Sequence, residues 1–478
     1  MFHAESAKYA EKLVLFCDFQ RLLREKTGNT AKRYNQKNSL IMNTKLSLFF
    51  SLLLFFSCTV EEDRNIGLTE ITKWQGDKKA AISITYDDGI INQFTAAKPI
   101  MDKLQMPGTF YVITGKIAGA KKGKFIGRPK EEIIAETKSI KTNKENFFER
   151  ASLIAFTGTT EAIDYHSRVG ALYEAEKIVE AYQLLDEGYR KIRNGTIKNL
   201  DKIIHHDNIV DTTSWEDLKT YAQQGHEIAS HTVTHPRLAV LDEKNLLYEL
   251  EQSKKDVEHF LGKEFTFSAE CPYGTENERV MEYAHKIYPS LRNRMPEPYL
   301  EELNRSNKSQ PGASNKEYVQ WQKGPLTDTG LNEMKAWVDT CLVHDNIWLV
   351  LVFHGINGIG WEPKTEKELE EYFKYINARE EQIWVATFAD VTKYLRARKN
   401  TSIKSKRTGK SITVDISSTL DPIVYNVPIT LKTYIPRNWK NVSVNKNQIN
   451  SEIHTDEKGS YINYSVLINN DQVILEEG

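Results

Sequence analysis

The sequence predicts an α/β protein: a parallel sheet with helices packed on it, interrupted by a helical insertion and followed by a small β-sandwich. Strand, helix and strand patterns alternate from residue 79 to 114, the signature of a parallel α/β core. The run Trp348 to Phe353 is continuously apolar, as strands covered on both faces are. After residue 411 helical spacing gives way to alternation of apolar and polar residues.

A chain of 478 residues exceeds the usual single-domain size, so a core domain with at least one accessory unit is expected. Lys and Arg number 64 against 65 Asp and Glu, a formal net charge of -1. No global field therefore draws in a polyanion, and no nucleic-acid partner is expected. Cys17, Cys58, Cys271 and Cys341 are scattered without the close pairs of a zinc ribbon or redox dithiol.

Leu46 to Phe56 is an apolar run after Lys45 that ends at Ser57-Cys58. It is too short to span a bilayer, which takes about 20 residues as a helix. A short basic start, a short apolar stretch and a small residue before the cut describe a secretory signal peptide, with Met42 as its start. Residues 1–41 are then an upstream extension and 42–58 the signal peptide. Leu54-Phe55-Phe56-Ser57-Cys58 is similar to a bacterial lipobox, which makes Cys58 the lipidation site and 59–78, opening with Glu61-Glu62-Asp63, a polar tether. An exported protein is expected, lipid-anchored at the cell envelope or surface, or else periplasmic or secreted.

The core domain is expected over 79–398. Lys79 to Tyr86 is a β-rich apolar run that ends in Asp87-Asp88-Gly89, a buried strand delivering two carboxylates. A helical stretch around Phe94 to Leu104, Pro107-Gly108 and a strand from Thr109 to Thr114 follow. Residues 116–210 break the rhythm as a helical insertion, with Leu172, Ile178, Val179, Tyr182, Leu185 and Tyr189 spaced as one amphipathic helix. Ser214 is an N-cap for Trp215 to Gln224, and Gly225 stops that helix. His226 to His231 is then a strand, Asn245 to Leu261 a helix, and Trp348 to Phe353 a strand ended by His354-Gly355. Residues 399–410 read as a basic linker and 411–478 as the β-rich accessory domain.

Asp87, Asp88, His231 and His235 each sit where a predicted strand ends, the edge of a parallel barrel where active sites assemble. Two histidines four residues apart face one point if the chain turns there. With one carboxylate they leave coordination positions open for water and substrate, the arrangement of a catalytic metal site. Asp87 supplies a second carboxylate that can accept a proton. His205-His206-Asp207 is a further candidate cluster, read as solvated connector.

In order and context these residues resemble the polysaccharide deacetylase family, also called carbohydrate esterase family four. Thr85-Tyr86-Asp87-Asp88-Gly89 resembles its first motif, with Tyr86 in place of the usual Phe; the resemblance makes Asp87 the base and Asp88 a metal ligand. Ser230-His231-Thr232-Val233-Thr234-His235-Pro236 resembles the second, which makes His231 and His235 the other ligands. Leu351-Val352-Phe353-His354 resembles the last, implying that His354 is the general acid and that Leu351 lines the acetyl pocket. Glu270-Cys271-Pro272-Tyr273-Gly274 is similar to the third, in which the Tyr273 N–H supports the oxyanion. There the family's arginine, partner of the base, is replaced by Glu270; Arg292, Arg294 or the metal alone are the alternatives. The fourth motif, an Asp and a Trp, falls among Trp321, Asp328, Trp337 and Asp339 without a single assignment. Trp361, after the His354 loop, and Tyr273 are candidates for stacking on a sugar.

The resemblance covers 80–115 and 212–395. It implies a distorted (β/α) barrel of the polysaccharide deacetylase type and a hydrolase removing N- or O-acetyl groups from a polysaccharide or oligosaccharide. The implied cofactor is a divalent metal, zinc first with cobalt, nickel or manganese as alternatives, and the implied partner an acetylated glycan. The rival reading is a non-catalytic carbohydrate-binding surface lipoprotein that keeps the fold and lost turnover with the third-motif arginine.

Overall fold

The computed structural model describes residues 64–199, 212–445, 447–449, 452–469 and 471–478. The expected upstream extension 1–41, the expected signal peptide 42–58 with Cys58, and His205-His206-Asp207 lie outside the described residues. No described helix is long and apolar enough to cross a membrane.

Of the expected tether 59–78, residues 64–78 are described. Strand β1 (Thr69–Ile71) pairs antiparallel with a strand at Ile429–Ile435. Trp74 is fully buried, edge-on to Tyr318 at 5.0 Å, and its indole N–H donates to the Asp345 carbonyl at 2.8 Å. Burying so large a ring outweighs the polar sequence around it, which is why this segment packs instead of hanging free.

The core is a nine-stranded sheet. Its members are β2 (Ala80–Tyr86), β3 (Gly108–Val112), β4 (Glu227–Ser230), β5 (Ser268–Ala269), β6 (Ser290–Leu291), β7 (Leu300–Leu303), β8 (Tyr318–Lys323), β9 (Ile347–Phe353) and β10 (Ile383–Val385). They run in the order β6-β5-β4-β3-β2-β9-β8-β7, with β10 also on β2, and every pairing is parallel. Both β2 and β9 are buried along their whole length, as their unbroken apolar runs require.

Side chains bring the two ends of this sheet together. The Gln320 and Gln322 amides of β8 donate to the Arg292 carbonyl just beyond β6, at 2.5 and 3.1 Å. The sheet is thus rolled into a distorted (β/α) barrel, its β6–β7 seam bridged by side-chain hydrogen bonds. Helices at Trp215–Gln223, Glu243–Phe260, Leu331–Val343 and Glu366–Asn377 place apolar residues in its core clusters. As expected, Ser214 caps its helix, accepting from the Asp217 N–H at 3.1 Å.

The insertion is helical as expected, with helices Lys130–Glu136, Phe147–Ala155, Thr160–Glu174 and Ile178–Arg193 around a hydrophobic cluster of their own. The single amphipathic helix read there is corrected. Leu172 belongs to Thr160–Glu174, Glu176 at φ 61° breaks the chain, and Val179 is 64% exposed. Leu185 and Tyr189 do face the cluster, but the break resets the helical phase between the two halves of the pattern.

The C-terminal β unit is larger than expected. It consists of β11 (Thr401–Thr408), β12 (Ser411–Ser418), β13 (Ile429–Ile435), β14 (Val442–Val444), β15 (Asn447–Ile449), β16 (His454–Asp456), β17 (Gly459–Val466) and β18 (Gln472–Glu477). One sheet runs β1-β13-β17-β16 and the other β11-β12-β18-β14-β15. The expected linker 399–410 is instead mostly β11, an edge strand paired along its length with β12. Its lysines and arginine face solvent, where charge on an edge discourages further strand pairing.

Candidate active site and metal centre

Asp87 and Asp88 leave the end of β2, His231 the end of β4, and His354 the end of β9, so three parallel strands deliver them to one mouth of the barrel. They line a cavity of about 320 Å³ together with His235, Arg237, Glu270, Tyr273, Arg305 and Trp361.

The local backbone is unusual where these side chains turn inward. Asp88 (φ 80°), Thr232 (φ 65°), His235 (φ 63°) and Tyr273 (φ 62°) all occupy the left-handed region, which costs a non-glycine residue about 1–3 kcal/mol. The surroundings hold them there. The fully buried Glu249 carboxylate accepts from the Val233 N–H (2.7 Å), the Thr234 N–H (2.9 Å) and the Thr234 hydroxyl (2.6 Å), clamping the loop between the two histidines. The His235 N–H donates to the Thr232 hydroxyl at 3.1 Å. Gly89 (φ 71°) admits the turn after Asp88, and a Cβ there would lie 2.9 Å from Val112 Cγ1. Gly89→Ala is therefore expected to destabilise the fold by about 1–3 kcal/mol, read as a lowered thermal midpoint; an unchanged midpoint would contradict this account.

Ligand-type atoms of Asp88, His231 and His235 all lie within 4.8 Å of one another. The two Nε2 atoms are 3.1 Å apart, and Asp88 Oδ1 is 3.8 Å from His231 Nε2 and 3.5 Å from His235 Nε2. Two ligand nitrogens on a tetrahedral ion would stand about 3.3 Å apart. His231 Nδ1 lies 3.0 Å from the Glu270 carbonyl, which selects the tautomer with Nε2 turned inward as an acceptor. Burial, helped by His235, lowers the His231 pKa to about 3, so the ring is neutral, the form that ligates. Donor set, spacing and protonation all fit a divalent cation.

Asp87 stands apart from this trio. Arg292, which follows β6, grips it with Nη1 on Oδ1 and Nη2 on Oδ2, both at 2.7 Å, and Nη1 also donates to the Thr85 hydroxyl at 2.8 Å. Burial alone would raise the Asp87 pKa, but Arg292 and then His354 outweigh it and hold the carboxyl well below the usual range. The cation missing at position 270 thus arrives from the neighbouring strand. Glu270 also meets the guanidinium, 3.0 Å from Nη2, and accepts from the Asn293 amide at 2.6 Å; that amide also donates to Glu276 at 2.8 Å. Arg294, the other candidate, pairs with Glu278 instead.

His354 Nε2 lies 3.4 Å from Asp87 Oδ2, and burial lowers its pKa. Its ring meets Trp361 edge-on at 4.6 Å, so Trp361 both lines the cavity and props the histidine. Among the described residues neither Asp of the expected fourth motif does this, and Asp339 is engaged with Tyr375 and Arg379. Tyr273 packs on His235 at 4.7 Å. Leu351, expected in the acetyl pocket, is fully buried in the apolar core and does not line the cavity. Three positions from His354 on a strand it points to the other face, so that expectation is corrected.

Sequence reasoning missed Arg237 and Arg305, which line the cavity without a motif to announce them. It also missed Glu249, because nothing in its helical context marks a loop clamp.

Fold and site define a (β/α)-barrel protein with a His-His-Asp cluster at the carboxyl ends of its strands. Residues 189–290 match the family model described as polysaccharide deacetylase. A gellan lyase from a Bacillus species is 25% identical over 254 residues, 49% of this chain and 10% of that protein, so the chain spans about a tenth of that curated relative. Similar solved structures include a putative polysaccharide deacetylase from Mycobacterium smegmatis (13% identity, 71% of this chain and 98% of that chain, TM-score 0.33). Another is a peptidoglycan deacetylase from Bacillus subtilis (11% identity, 68% and 93%, TM-score 0.31).

Proposed function

We propose that this protein is a metal-dependent hydrolase that removes acetyl groups from a glycan. The observation that carries the reading is the meeting of a ligand trio (Asp88, His231, His235) with a proton-handling pair (Asp87, His354) in one cavity of a deacetylase-family domain. A divalent ion, zinc by preference, bound to the trio would polarise the acetyl carbonyl and acidify a water.

The chain's own residues supply the rest. Arg292 keeps Asp87 ionised and fixed, so its carboxylate accepts a proton as the water oxygen bonds to the acetyl carbon. The Tyr273 N–H, on a left-handed turn at the cavity wall, donates to the oxyanion. His354 delivers a proton to the departing sugar nitrogen or oxygen as the acyl bond breaks and acetate leaves. Its 3.4 Å approach to Asp87 offers a path for the proton taken from water.

The rival reading, a binding protein without turnover, rests on the missing third-motif arginine; the Arg292 grip on Asp87 supports turnover instead. The protein is further proposed to be exported and lipid-anchored through Cys58.

The test is acetate release from a panel of N- and O-acetylated glycans by metal-loaded protein. No release from any of them would defeat the reading. His231→Ala and His235→Ala are expected to lose stoichiometric metal by elemental analysis, while His205→Ala keeps it. Equal metal in all three would refute the ligand assignment.

A further inference from the structure

The cavity carries two arginines that the proposed chemistry does not use, and they differ in one respect. Arg237 is neutralised: its Nη1 pairs with Glu174 of the inserted helices at 2.5 Å while its guanidinium lies 4.5 Å above the Tyr273 ring. Its backbone N–H donates to His166 Nε2 at 2.9 Å, and Gly170 leaves room for its side chain. The insertion thus holds this residue against the cavity wall.

Arg305 is different. It lies beyond β7, 5.5 Å over the Trp361 ring, and Trp361 in turn props His354. Among the described residues no carboxylate lies within ion-pair distance of it, whereas Arg237 has Glu174 and the deeper Arg292 has Asp87 and Glu270. Its position is built. Gly324 lets the side chain lie flat, since a Cβ there would come within 2.8 Å of Arg305 Cδ. A planar guanidinium held over an aromatic face with open donors is suited to receive a carboxylate by two parallel hydrogen bonds. A neutral acetylated sugar would give that charge nothing to meet.

We propose that the substrate is an acetylated glycan bearing a carboxylate, of the uronic-acid class, and that Arg305 receives that carboxylate at the cavity mouth beside the scissile acetyl group. This inference rests on the deacetylase reading and narrows its substrate.

The experiment compares acidic substrates with their carboxyl-reduced counterparts, so that only the charge differs. The probes are O-acetylated glucuronoxylan oligosaccharides and oligosaccharides alternating N-acetylglucosamine with glucuronic acid. The wild-type protein is expected to favour the acidic form of at least one pair by about tenfold in kcat/KM, the order of one charge-assisted hydrogen bond. The preference should shrink with added salt and fall to about one in Arg305→Gln, with Arg305→Lys between, since lysine keeps the charge without the fork. Equal rates on acidic and reduced forms in the wild type, or a preference that survives Arg305→Gln, would overturn the inference alone. No acetate from any substrate would overturn the deacetylase reading beneath it.

Discussion

Asp87→Asn is expected to lower acetate release by about 10²–10⁴-fold, the range of a lost general base, while bound metal stays stoichiometric. The two effects separate because Asp87 is not in the ligand trio: it is held by Arg292 at 2.7 Å on both oxygens and approached by His354 at 3.4 Å. Asparagine keeps the shape but cannot accept the proton, and its amide turns a donor toward the guanidinium. A variant that loses metal along with activity would show that Asp87 is a ligand. One that keeps more than a tenth of the wild-type rate would show that the proton goes elsewhere.

The largest stability effect is expected at Arg292. It is 1% exposed, lies between the buried carboxylates of Asp87 and Glu270, and stacks 4.9 Å from the Tyr111 ring. Its own pKa is raised: burial opposes the charge, but Asp87 and then Glu270 outweigh it. Arg292→Met removes the compensating cation and leaves two buried acids facing each other, an arrangement that costs about 3–5 kcal/mol when one partner of a buried pair is lost. The urea midpoint should fall without a change in slope, which would mark lost stability in an unaltered fold. Arg292→Lys keeps the charge without the bidentate grip and should recover only part of the loss. A midpoint unmoved by Arg292→Met would mean that Glu270 and Asp87 are relieved by other means, such as protonation of Glu270, whose pKa burial pushes upward.

What could be read from the chain was what local pattern encodes. Alternation, continuous apolar runs and caps announced β2, β9, the helix after Ser214 and β12, because a strand's periodicity and a helix's first turn depend on neighbours in sequence. The trio of Asp88, His231 and His235 was legible for the same reason, being delivered by short motifs at strand ends. The reading failed where a single bulky residue or a backbone break decided the outcome. Trp74 drew the expected tether into the packed structure, and Glu176 split one helical pattern into two.

The sequence by itself thus determined the parallel α/β core and the helical insertion, since each is written in spacing along the chain, while the grouping of Asp88, His231 and His235 came from motifs at separate strand ends. Only the tertiary structure decided what surrounds them. The replacement for the missing arginine lies just after β6 rather than just after β5, and it reaches Asp87 because the sheet rolls and brings distant strand ends to one centre. Leu351 left the pocket and Arg237 and Arg305 entered it for a related reason: which side chains face a cavity depends on strand face and loop path, and neither is carried by residue type. Electrostatic partners are chosen by proximity in space, and that is the part of the site a linear pattern does not encode.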